Sequence, residues 1–220
     1  MDPVVATDLE GTLTAGATWR GVGRWLSEHG HRSRYRRFFW PRLIQVVLAR
    51  AGLIDLQAFR ERWMHDLTKL LAGMTRTEID GMAIWVMNEE LWPGRREDVI
   101  AELRSARERG ARLIVASGTY LPLAELFAWQ LGAEAIGTVL AYDADGRTTG
   151  GFTGAMGTGE EKLARLTAML DGATIETAYG DTAADIPMLS AATTAVAVYP
   201  DRALAKAAHE RGWRIIGEAR

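Results

Sequence analysis

The sequence predicts an α/β fold: a parallel sheet with helices on both faces and a helical domain inserted into it. Two observations carry this. From about residue 95 onward, short apolar strand-like runs alternate with segments of helical periodicity, as in repeated βα units. Between the first strand and that series lies a stretch, 15–90, whose periodicity is helical throughout. The chain therefore divides into a core domain of 1–14 and 91–220 and a helical cap domain of 15–90. With 220 residues and 48% hydrophobic content, there is apolar surface for one substantial core and a smaller second one.

The elements follow in order. Residues 3–7 form a short buried strand that stops at Asp8 before Gly11. From about Thr18 to Glu90, apolar residues recur three and four apart: Trp25 and Leu26, the run Leu43–Ala51, then Phe59, Trp63, Leu67, Leu70 and Leu71. Pro93-Gly94 ends this stretch. Val99, Ile100, Leu103 and Ala106 make the face of one helix, Gly110 is its stop, and Leu113–Ala116 is a strand. A helix from about Pro122 to Leu131 leads to a strand at Ala135–Val139. Asp145-Gly146, between 139–142 and 147–152, predicts a hairpin. A helix at about 160–170, a strand at Thr174–Tyr179 and a short helix at 184–191 come next. A strand at Ala195–Val198, a helix at 201–210 and a strand at Trp213–Ile216 close the chain.

Composition removes several chemistries. There is no cysteine, so disulfides, thiolate metal sites and a cysteine nucleophile are excluded. The net charge of −2 argues against bulk electrostatic binding of nucleic acid. The N-terminus has neither a basic segment nor a long apolar run, which predicts a soluble, cytoplasmic protein. His29 and His31 are read as a solvent-facing turn rather than metal ligands.

Ligands of open parallel sheets bind at the carboxyl ends of the strands. Asp8 and Glu10 follow the first strand, Ser117, Gly118 and Thr119 follow Leu113–Ala116, and Asp181 and Asp185 follow Thr174–Tyr179. Any one of these is ordinarily a turn or helix cap; the joint order makes them a site. Gathering Asp8, Glu10, Asp181 and Asp185 at one edge is costly without a cation, because like charges repel. Mg2+, which takes carboxylates, waters and a substrate phosphate, removes the conflict. Ser117 to Thr119 then offers a hydroxyl and backbone N–H groups to a phosphate. Lys162 sits in the first turn of a helix, where the macrodipole disfavours a cation and a nearby anion offsets that cost.

In this order the residues resemble the motifs of the haloacid dehalogenase superfamily. Asp8-Leu9-Glu10-Gly11-Thr12-Leu13-Thr14 is similar to its first motif, Val115-Ala116-Ser117-Gly118-Thr119 to its second, Lys162 to its third, and the run from Tyr179-Gly180-Asp181 through Asp185 to Leu189 to its fourth. The helical segment between the first two motifs, and the tail from Tyr199, resemble the phosphoserine-phosphatase-like branch. The resemblance implies a Rossmann-like core under a helical cap and a Mg2+-dependent phosphatase. Asp8 would be the nucleophile that forms an aspartyl phosphate. The metal would be held by Asp8, the Glu10 carbonyl and Asp181, with Asp185 in or behind that shell. Ser117, Gly118 and Lys162 would hold the phosphoryl oxygens, and the Glu10 side chain would serve as acid and base.

Two departures matter. Glu10 stands where the family's phosphatases carry Asp, as in a minority of relatives that pass the phosphoryl group to another alcohol. Transfer to an alcohol is therefore the alternative to hydrolysis, and a non-catalytic binding protein on the same fold is the third reading. Ala17 stands where phosphoserine phosphatases carry the Glu that recognises the substrate ammonium, while Arg62 matches their carboxylate-binding Arg. A small phosphorylated metabolite is expected as the substrate.

Residues 32–42 hold five Arg among four aromatics and run into the apolar Leu43–Leu48. This segment reads as a surface for anionic lipid or a phospholipid-like substrate, as a nucleic-acid surface, or as a cap helix with inward aromatics and solvated arginines.

Overall fold

The computed structural model describes residues 2–50 and 56–219. The first strand, β1 (Val4–Thr7), is followed by a run of helices: α1 (Thr18–Glu28), α2 (Arg32–Arg50), α3 (Leu56–Thr68) and α4 (Arg76–Val86), the last continuing into a π-helical turn, Met87–Leu91. Then come α5 (Glu97–Glu108), β2 (Arg112–Tyr120), α6 (Leu121–Leu131) and β3 (Glu134–Thr138). A hairpin, β4 (Leu140–Tyr142) and β5 (Thr148–Phe152), precedes α7 (Gly159–Leu170) and β6 (Ile175–Gly180). A 3-10 turn, Ala183–Asp185, leads to α8 (Ile186–Ser190), β7 (Ala192–Val198), α9 (Arg202–Arg211) and β8 (Arg214–Ile216). The Ala51 end of the apolar run predicted above lies outside the described residues.

Six strands form one parallel sheet in the order β3-β2-β1-β6-β7-β8. The order reverses between β1 and β6, so the ligand-binding crevice of an open sheet falls between their carboxyl ends, after Thr7 and Gly180. Alternation along each strand separates two cores. Val5 joins Leu113, Val115 and Tyr179 with α5 and α6 on one face. Val4 and Ala6 join Ile114, Ala116 and Ala178 with α7, α8 and α9 on the other. The first core does not stop at α6: Val22, Leu26, Leu67, Ile79 and Met82 of the helical insertion belong to the same buried cluster.

The chain leaves and re-enters the sheet domain at one place. Ala15 N–H donates to Gly94 O at 2.8 Å and Arg96 N–H to Leu13 O at 2.8 Å. Thr14 Oγ1 donates to Leu91 O at 2.5 Å. At this crossing Gly16 packs so closely that a Cβ would stand 2.4 Å from the Glu90 carbonyl oxygen.

The strand boundaries differ from expectation at β2. It continues through Ser117, Gly118 and Thr119 to Tyr120 instead of ending at Ala116. Its pairing with β3 breaks between Ala116 and Tyr120, which frees those three residues from the ladder while their backbone stays extended. Gly110, the expected helix stop, adopts φ +89, and Ala111 N–H reaches back to Ala106 O at 3.0 Å. The Asp145-Gly146 turn makes the expected hairpin, but its partner lies outside the sheet. Thr148 N–H donates to Met74 O at 2.8 Å, Gly73 N–H to Thr148 O at 2.8 Å, and Arg147 to Gly73 O at 2.8 Å. The hairpin is thus bonded to the insertion between α3 and α4.

Candidate active site

Asp8 leaves β1 with its N–H on Tyr179 O at 2.9 Å, which fixes the strand end against β6. Lys162 reaches it from the first turn of α7. Its Nζ lies 2.6 Å from Asp8 Oδ1 and 2.6 Å from Asp185 Oδ1, all three side chains being buried. The anions beside Lys162 are therefore the protein's own carboxylates. Burial works against the Lys162 charge, but Asp185 and Asp8 outweigh it and hold the ammonium above its ordinary pKa. Burial raises the Asp8 carboxyl well above the usual carboxylate range; Lys162 opposes this, while Asp185 and Asp181 add to it.

Asp185 closes the turn after β6. Its Oδ2 accepts from the N–H groups of Asp181 and Thr182, both at 3.1 Å, and from Thr182 Oγ1 at 3.2 Å. Asp181 accepts from Thr12 Oγ1 at 3.3 Å. One oxygen from each of Asp8, Asp181 and Asp185 falls within 4.8 Å of the others. Three buried carboxylates meet beside one Lys162 ammonium, and all their donors are hard oxygens. The set fits a divalent cation.

The remaining expected residues line one cavity of about 630 Å3 with these acids: Glu10, Ser117, Gly118 and Lys162 all border it. Burial raises the Glu10 carboxyl above its ordinary value, against the opposing hydrogen bonds of Thr18 and Thr119 and the charge of Arg60. The two threonine hydroxyls lie 2.5 Å apart, joining α1 to β2 at this point. Thr138 Oγ1 donates to Gly118 O at 2.8 Å and accepts from Gly157 N–H at 3.2 Å. Those bonds hold the unpaired end of β2 beside the start of α7.

Arg62 does not join the site. It is exposed and absent from the cavity wall, which carries Arg60 and Glu61 instead. Arg60 is exposed as well but borders the cavity, and positions two apart on a helix lie roughly 200° apart around its axis, which points Arg62 away from it. Glu61 accepts from Thr158 Oγ1 at 3.0 Å, linking α3 to the N-cap of α7. Ala17 borders the cavity, as do Trp19, Phe59, Trp63 and Met64. His29 and His31 stack on Trp25, with centroids 4.8 and 6.1 Å away.

Thr12, Thr18 and Asp201 carried no expectation. Asp201 caps α9 through Leu204 N–H at 2.8 Å, accepts from Ala183 N–H at 3.3 Å, and donates its own N–H to Asp181 O at 2.8 Å. It braces the 181–185 turn. Its sequence signal was an Asp at the head of a helical run.

The haloacid dehalogenase-like hydrolase family profile matches residues 5–190, spanning every one of these positions except Asp201. The chain belongs to this family. It is 31% identical over 220 residues to phosphoserine phosphatase SerB1 of Mycobacterium tuberculosis, covering 94% of this chain and 68% of that protein. It is 33% identical over 176 residues to a histidinol-phosphatase of Neisseria meningitidis, covering 75% and 76%. A Bordetella pertussis protein of unknown function shares the fold, with TM-score 0.81, 22% identity and 99% coverage of both chains. The chain is a phosphoserine-phosphatase-like hydrolase of the family.

Proposed function

We propose that this hydrolase is a Mg2+-dependent phosphatase that cleaves a small phosphomonoester through an aspartyl phosphate on Asp8, with 15–90 as the cap over the site. The observation that supports it is the meeting of Asp8, Lys162, Asp181 and Asp185 at the reversal point of the sheet, inside a cavity also bordered by Ser117 and Glu10. Asp8, Asp181 and the Glu10 carbonyl would hold the metal, which supplies positive charge for the phosphoryl oxygens.

The chain's own residues do the rest. Lys162 keeps the Asp8 carboxylate oriented and lends its charge to the equatorial oxygens, together with Ser117 and the Gly118 N–H. An Asp8 oxygen bonds to phosphorus as the ester P–O bond breaks. Glu10 gives its proton to the departing alkoxide. It then takes a proton from water, whose oxygen bonds to phosphorus and releases Asp8. Glu10 is longer than the usual Asp by one methylene, and this keeps transfer to an alcohol as the second reading.

The residues that α1 and α3 bring to the cavity are Trp19, Phe59, Trp63 and Met64, with Arg60 and Glu61 among them and Ala17 at the N-cap of α1. With the ammonium-recognising Glu replaced by Ala17, these groups favour a leaving group with an apolar or aromatic body. Phosphate release from a phosphomonoester panel, with and without EDTA, tests the reading. Turnover is expected with Mg2+ alone, and Asp8→Asn should lower kcat by at least about 10³-fold while the far-UV spectrum stays native. Activity surviving in Asp8→Asn would reject the nucleophile. Diversion of phosphate to a new ester on adding an alcohol would establish transfer.

A further inference from the structure

We propose that α2 docks this protein onto an anionic lipid surface. Between Glu28 and Asp55 the sequence has no acidic residue and six arginines, in a chain whose net charge is −2. The helix thus carries six positive charges and no negative one.

The structure divides that helix into two faces. Phe38 is buried, Tyr35 and Phe39 pack against the same core, and Arg42 pairs with Asp66 at 2.8 Å while lying over the Phe38 ring. These residues hold the helix to the protein. On the other face Arg32, Arg36, Trp40 and Ile44 stand four apart and form one exposed stripe, with exposed Arg37 beside it. Trp40 is 59% exposed and Ile44 70%. Among the described residues, Arg32, Arg36 and Arg37 have no ion-pair partner. Arg32 and Arg34 also open the helix, where the macrodipole disfavours cations and an anion restores the balance.

Arginines at one end of an exposed stripe and Trp and Ile at the other match a helix lying in a bilayer interface. The guanidinium groups meet lipid phosphates, the indole sits at headgroup level, and the aliphatic group goes below. Other occupants satisfy only part of the stripe. A second copy joined by a two-fold axis would set this arginine face against itself. A nucleic acid would leave Ile44 without an apolar partner. No helix among the described residues is long and apolar enough to cross a membrane, so α2 would lie on the surface. The stripe adjoins the active site: Phe39 borders both the catalytic cavity and a groove of about 520 Å3 shared with Arg32, Arg36 and Trp40. The proposal stands independently of the phosphatase reading.

Flotation of the full chain with vesicles tests it, using phosphatidylcholine alone and a mixture with phosphatidylglycerol, at low and high salt. Binding is expected on the mixed vesicles only and should be lost in high salt. Each arginine near such a surface contributes about fivefold to partition, so R32A/R36A/R37A should weaken binding on the order of a hundredfold. Trp40→Ala should weaken it severalfold, and circular dichroism melts establish that both variants fold. Equal binding to both vesicle types, no binding at low salt, or unchanged binding by the triple variant would each overturn the proposal. So would a dimer in sedimentation equilibrium that Trp40→Ala dissociates, or an oligonucleotide bound more tightly than the mixed vesicles.

Discussion

Gly11→Ala is the sharpest test of how the acids are placed. Gly11 has φ +91, and a Cβ there would stand 2.0 Å from Asp181 Oδ2 and 2.5 Å from Asp181 Cγ. Alanine in that conformation costs roughly 1–2 kcal/mol through the backbone alone. For a chain of this size that corresponds to a Tm lower by roughly 2–8 °C. The larger effect is on geometry. Ordinary contact begins at 3.4 Å, so the Asp181 carboxylate must retreat by more than an ångström and give up its bond from Thr12. A displacement of about 1 Å at a reacting centre costs on the order of 10²-fold in rate. The assay is phosphate release against Mg2+ concentration, paired with thermal melts. We expect kcat/KM to fall about 100-fold and half-maximal activity to need more Mg2+. A variant that loses only a few degrees of Tm and keeps its rate and Mg2+ requirement would refute the placing of Asp181 in the reacting centre.

Two further predictions concern the framework. Glu90 is buried in the π-helical turn, where Oε1 accepts from Ala17 N–H at 3.2 Å and from Arg20 Nε at 2.5 Å, so Glu90→Ala should cost about 1.5–3 kcal/mol in urea unfolding; a change below about 0.5 kcal/mol would show that water replaces these bonds. Burial works against Glu102 ionisation, but Arg214 and the Tyr179 hydroxyl outweigh it and hold the carboxyl below its ordinary value of 4.5. Its stabilisation is full above pH 4.5 and is lost as pH falls through the lower folded-state value. Wild type should therefore exceed Glu102→Gln by up to about 1 kcal/mol at pH 6, and the gap should narrow as pH falls below 4.5; a gap that does not change with pH would assign it to packing.

The acids were legible because each follows an apolar strand run, and a parallel sheet brings strand ends to one edge whatever the loops do. Asp8, Ser117 and Asp181 needed no knowledge of side-chain packing. Arg60 did: whether α3 sets Arg60 or Arg62 at the cavity edge depends on how Trp63 and Leu67 seat in the core, and a run such as Arg60-Glu61-Arg62 does not encode that rotation. The end of β2 was misread for a related reason. Ser-Gly-Thr has loop composition, but pairing with β3 lapses there while the backbone remains extended. In the basic segment, composition could not separate Phe38, which is buried, from Trp40, which is exposed two residues later.

The bond between the β4–β5 hairpin and residues 73–75 has a mechanical consequence. The insertion is fastened along one flank by this ladder and at its root by the crossing of Leu13–Ala15 with Gly94 and Arg96. The Thr18–Thr119 hydroxyl pair and the Thr68–Tyr120 pair, 2.8 Å apart, tie the insertion to β2 as well. Among the contacts described, the bond from Thr158 to Glu61 is the one that fastens α3 to the N-cap of α7. Any displacement of the insertion would have to break bonds on all of these sides together.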